Sequence, residues 1–116
     1  MLQNRIRKLL LSAGVDPSLS GYGYLMTGIE MCYKDHSLFQ HVTKELYWLI
    51  AEKHGVKHTN VERCIRNAIE NMKNTNCTWF KKEIIGLIED KRDLTNTQFL
   101  AICVEILKMQ EVENAE

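Results

Sequence analysis

Four side chains within eight residues, Asn60, Glu62, Arg63 and Asn67, carry the chemistry that stands out in this chain. A guanidinium presents paired donors, a carboxamide presents a donor beside an acceptor, and a carboxylate accepts only. These groups match the edges of guanine, adenine and cytosine in the major groove of DNA. Asn60, Arg63, Arg66, Asn67 and Glu70 fall on one arc of a helix, opposite Val61, Cys64, Ile65, Ala68, Ile69 and Met72. The alternative is a merely solvated helix face. Glu62 has two readings: in Thr59-Asn60-Val61-Glu62 it fits a capping box that satisfies a backbone N–H, or it accepts from a cytosine amino group. Thr43, Lys44, Lys53, Lys57, Thr59 and Arg66 are candidates for the phosphate backbone.

Other chemistry is thin. His36, His41, His54 and His58 are scattered, and no nucleophile–base–orienter set, paired carboxylates or phosphate-cradling glycine loop is visible, so an enzyme is not expected. Cys32, Cys64, Cys77 and Cys103 form no CxxC pair and read as small reduced residues of a core. A zinc reading could recruit Cys32 with His36, or His54 with His58. Neither pair is joined by a second, and no metal or other cofactor is expected.

Positioning the face falls to the stretch KELYWLIAEKHGVKHTNVERCIRNAIENMKN. Ala51 precedes Gly55 by four residues and Val61 follows it by six. A helix-turn-helix needs a small residue where its helices approach, glycine where the turn takes positive φ, and a branched residue to lock the second helix. Ile50, Val56, Val61 and Cys64 fill the remaining apolar positions.

The periodicity predicts an all-α fold of about six helices. The first covers Leu2–Ala13 and stops at Gly14, the Asp16-Pro17-Ser18 turn follows, and the second covers Ser20–Lys34 despite Gly21, Gly23 and Gly28. The third runs from Leu38 or Thr43 to His54, the fourth from Thr59 to about Asn74, and the fifth from about Thr78 to Glu89. A sixth begins near Asn96, and the tail EVENAE is expected to fray. A length of 116 residues fits one domain, 1–116. No apolar run reaches the ~18 residues of a membrane span, and the basic amino terminus reads as an amphipathic helix, so a cytoplasmic protein is expected.

Net charge is zero but unevenly spread: residues 43–83 carry eight Lys/Arg against five acids, and residues 84–116 carry three against seven. A mildly basic middle can hold phosphates and should release them readily in salt.

The runs GYGYLMTGIEMCYKD, TKELYWLIAEKHGV and VERCIRNAIE, followed by Thr95, Asn96, Phe99 and Ala101, resemble the carboxy-terminal effector domain of the sporulation stage-zero response regulator over nearly the whole chain. The resemblance implies a six-helix domain that regulates transcription by binding tandem elements of double-stranded DNA as a head-to-tail pair. It implies base contacts by Glu62 and Arg63, with Arg66 at the DNA surface. It also implies a contact with the RNA polymerase sigma subunit through residues 79–92, whose sequence here, WFKKEIIGLIEDKR, departs from the family's. Asn60 stands where the family has a basic base-reading residue, and Asn67 where it has histidine, so the DNA sequence read should differ. The competing function is a protein-interaction module that keeps the fold without useful DNA affinity, motivated by zero net charge and the lost basic residue at position 60.

Overall fold

Helices form where the apolar spacing predicts them, in a computed structural model that describes residues 1–74 and 94–115. Among the described residues there are five α-helices and no strand: α1 (Leu2–Ala13), α2 (Ser20–Lys34), α3 (Tyr47–His54), α4 (His58–Lys73) and α5 (Asn96–Ala115). The expected helix Thr78–Glu89, Cys77 and the segment 79–92 lie outside the described residues. Among the described residues no helix is long and apolar enough to cross a membrane.

The first two helices keep their expected bounds. Between them Asp16 Oδ1 accepts from the Ser18 backbone N–H (2.9 Å) and from the Ser18 hydroxyl (2.8 Å). This side chain-to-backbone turn holds the Asp16 carboxyl below its ordinary range, the backbone bond being the larger cause.

Of the two expected starts for the helix that ends at His54, Leu38 is excluded and Thr43 lies one residue from the start observed. A 3₁₀ helix (His36–Gln40) starts at Asp35, whose carboxylate accepts from the Ser37 N–H (3.1 Å) and hydroxyl (2.6 Å). The chain leaves helical geometry at His41 (φ −139°, ψ 47°) and re-enters through a π-helical turn, Val42–Leu46, that runs into α3. The Leu46 N–H reaches back five residues to the His41 carbonyl (3.2 Å). Val42, Leu46 and Tyr47 are buried along this segment, while Thr43, Lys44 and Glu45 between them are exposed. At the other end of the chain, where the sequence suggests a frayed tail, α5 runs to Ala115, and the Tyr33 hydroxyl donates to the Glu111 carboxylate.

Helix α2 lies at the centre and touches each of the other four α-helices. Its Leu25, Ile29 and Cys32 meet Ile6 and Leu10 of α1, Ile50 of α3, Ile65 and Ile69 of α4, and Phe99, Leu100 and Leu107 of α5 in one buried cluster. The closest approach is at Gly21. A Cβ there would stand 2.2 Å from the Cys64 carbonyl oxygen and 2.8 Å from the Ala68 Cβ, so only glycine lets α2 and α4 come this near.

The helix-turn-helix is α3–turn–α4. Gly55 takes the left-handed conformation (φ 67°, ψ 36°) and the Val56 N–H returns to the Ala51 carbonyl (3.0 Å), closing α3. Ile50, Ala51 and Val61 are buried as expected, whereas Val56 and Cys64 are only partly covered. Val56 directly follows the turn at the surface, and Cys64 brings its backbone carbonyl to the α2 contact.

These two glycines should respond differently to alanine. Gly21→Ala is expected to cost about 1–3 kcal/mol through overpacking against backbone, despite alanine's advantage of about 1 kcal/mol within a helix. Gly55→Ala, with open space around the added carbon, should cost about 1–2 kcal/mol from left-handed strain alone. Urea denaturation of both variants checks this, and an unchanged midpoint for Gly21→Ala would contradict the close approach.

Candidate nucleic-acid interface

The outward face of α4 collects Thr59, Arg63, Arg66, Asn67 and Glu70, all exposed, with Asn60 half-buried at its edge. Val61, Ile65, Ala68, Ile69 and Met72 occupy the opposite side and are buried. The core therefore fixes the rotation of α4, and rotation decides which polar side chains face out.

Glu62 does not close a capping box. The helix begins at His58, one residue earlier than expected, so Lys57 is the N-cap and no side chain caps the helix. Thr59 then lies inside the first turn, and Glu62 reaches along the helix to Arg66 (2.8 Å). An acid four residues before a base is the favourable order for such a pair, which at this exposure is worth a few tenths of a kcal/mol. The second arginine is also tethered: Arg63 donates through Nη2 to Asn60 Oδ1. Of the four expected base readers, Asn60 and Glu62 thus each hold an arginine of the same helix, while Asn67 is exposed one turn beyond Arg63.

A reciprocal capping box does exist, at α5. The Thr95 hydroxyl accepts from the Gln98 N–H (3.1 Å), and the Gln98 side-chain oxygen accepts from the Thr95 N–H (2.9 Å). The next residue, Asn96, ties that helix start to the helix-turn-helix. Its amide donates to the Tyr47 hydroxyl (3.1 Å) and to the Glu62 backbone carbonyl (3.2 Å). Burial raises the Tyr47 hydroxyl above its ordinary pKa, with the Asn96 bond opposing the shift.

The backbone-contact candidates flank α4. Thr43 and Lys44 are exposed on the π-helical turn that leads into α3, Lys53 is exposed near the end of α3, and Lys57 is exposed at the start of α4. The first N–H groups of α4 have no intrahelical acceptor, which suits an anion. Between Lys44 and Lys57 lies a feature not anticipated from the sequence. Trp48, 55% exposed, stacks on the His58 ring (centroids 4.0 Å apart, planes at 19°), beside Leu49 at 41% exposure. A ten-residue separation across a turn gives no periodic signal; only the adjacent apolar pair on the outer side of α3 could have drawn attention to it.

The two candidate metal pairs do not converge. The His54 Nε2 shares a hydrogen bond with the Thr27 hydroxyl (2.8 Å) and its ring meets Tyr24 edge-on, while His58 faces Trp48. Cys32 is buried and its thiol is pushed up to about 12 by desolvation, whereas His36 is exposed against Phe39. Burial likewise raises the Cys103 thiol. Among the described residues no group of three or more His, Cys, Asp or Glu gathers as metal ligands do.

The chain matches the family model of the sporulation initiation factor Spo0A C terminal over residues 6–107. It belongs to the Spo0A C-terminal family. That family is the DNA-binding effector domain of a sporulation regulator, a regulatory rather than an enzymatic class. The match runs from α1 through most of α5, so the Asn96 bonds and the α4 face both lie within the Spo0A C-terminal region.

Asn96→Ala should destabilise the protein by about 1–3 kcal/mol, because it removes both bonds at once and strands the buried Tyr47 hydroxyl. Tyr47→Phe, which removes one partner only, should cost about 1 kcal/mol or less. Thermal and urea unfolding rank the two, and equal costs would mean that the bond to the Glu62 carbonyl contributes nothing.

Proposed function

We propose that residues 1–116 form one sequence-specific DNA-binding effector domain that regulates transcription, with α4 entering the major groove. The observation that carries this reading is the outward face of α4, where Arg63, Arg66 and Asn67 stand exposed on a helix whose rotation the core fixes. Membership of the Spo0A C-terminal family supports it independently. Arg63 and Asn67 reach base edges, with Asn60 and Glu62 beside them. Thr43, Lys44, Lys57, Thr59 and Arg66 hold phosphates on either side of the groove. Two copies on tandem elements would lie head to tail, as the sequence resemblance implies.

The exposed Trp48–Leu49 surface favours a second reading, a protein-interaction module with the same fold. Selection of bound duplexes from a random DNA library at low salt separates the two. Enrichment of a short motif, in tandem copies if the domain pairs, supports the DNA reading, and recovery of no duplex supports the module.

On a selected site, Arg63→Ala should cost about 1–3 kcal/mol and relax the preference at one base pair. Lys44→Ala should weaken binding to all sequences alike and reduce the slope of log affinity against log salt by roughly one. An unchanged base preference in Arg63→Ala would remove α4 from the groove.

A further inference from the structure

Asn60 and Arg63 stand one helical turn apart and act on the same atom. Arg63 Nη2 donates to Asn60 Oδ1, and the Cys64 thiol lies 3.7 Å from that oxygen as a second, weaker donor. An amide oxygen has two acceptor sites, and here both are directed at side chains of its own helix.

Reading adenine bidentately needs that oxygen. The carboxamide must accept from the adenine N6 amino group while its NH₂ donates to N7. With the oxygen engaged, Asn60 has only its NH₂ to offer, and Arg63 beside it offers only N–H donors. In the major groove guanine presents two neighbouring acceptors, O6 and N7, where adenine sets a donor beside its acceptor. A donor-only pair is complementary to guanine and is opposed by the adenine amino group.

Building on the assignment of α4 to the groove, we infer that Asn60 is a positioning residue that fixes the Arg63 guanidinium, so that Arg63 selects guanine and Asn60 reads no base of its own. This reverses the preference that asparagine suggests when taken alone. It also gives the half-buried Asn60 a defined task at a position where family resemblance implies a basic side chain. A shorter residue there leaves room for the arginine to be held from within the helix rather than crowded by a second cation.

The test compares the wild-type chain with Asn60→Ala, Asn60→Asp, Arg63→Ala and Asn60→Ala/Arg63→Ala, on the selected duplex and on its single-base-pair variants. Asn60→Ala should lower the guanine preference roughly tenfold at the one base pair that Arg63→Ala affects. Added to Arg63→Ala it should change nothing further. Asn60→Asp keeps the acceptor and should retain the guanine preference at that base pair while weakening binding to every duplex. Loss of preference at a different, adenine-bearing base pair, or additive effects in the double variant, would overturn the inference while leaving α4 in the groove. In the DNA-free protein, NMR of the arginine side chains should show Arg63 guanidinium rotation hindered in the wild type and freed in Asn60→Ala. Free rotation in both overturns the tether whatever the DNA result. A hindered guanidinium in a chain that enriches no motif would instead bring down the groove assignment, and the guanine selection with it.

Discussion

The position of α4 depends on one contact between backbones, where Gly21 of α2 lets the Cys64 carbonyl approach to a distance that no side chain permits. Everything else that orients α4 is compatible with some sliding, because apolar side chains such as Ile65, Ala68 and Ile69 can repack by small adjustments. A backbone oxygen against a glycine has no such freedom. It fixes the axial position of α4 relative to α2, and α2 in turn carries the contacts to α1 and α5. The polar side chains of α4 then project from a helix whose depth, and not only rotation, is set.

The Asn96 bonds secure the same helix from its other side. One amide bridges the Tyr47 hydroxyl at the start of α3 and the Glu62 carbonyl within α4, and its own position follows from the Thr95–Gln98 box that starts α5. Both helices of the helix-turn-helix are thereby referred to the start of a third. Because that start follows the segment 75–93 in sequence, the geometry of the α4 face is bound to where the chain returns after it.

Much of this was legible in the sequence, and the reasons differ by element. Periodicity was enough for α1 and α2, and the Ala51–Gly55–Val61 spacing located the turn because sterics leave few residues able to occupy those places. Periodicity could not choose between Leu38 and Thr43 as a helix start, since Leu38, Val42, Leu46 and Ile50 are all buried at four-residue spacing and the break at His41 leaves that pattern intact. Thr59–Glu62 has the spacing of a capping box and forms none, whereas the same signal, a threonine three residues before a glutamine, forms one at Thr95–Gln98. Local pattern could not choose between them: Glu62 had Arg66 within reach one turn on, and only the true helix start excluded Thr59. The Asn60–Arg63 and Trp48–His58 pairs depend on rotamers and on packing across a turn, which residue type and spacing do not encode.

The two tethered arginines have a thermodynamic consequence. An unrestrained arginine carries about 2 kcal/mol of rotamer entropy, much of which is lost when it docks on a rigid surface. The Asn60 and Glu62 side chains remove part of that freedom in the folded chain, so the loss is shifted from association to folding. A face of this kind meets its target with fewer conformations left to sort, and mismatched surfaces gain less from side chains searching for a compromise. Discrimination then owes as much to the restricted repertoire of the unbound helix as to the contacts it finally makes.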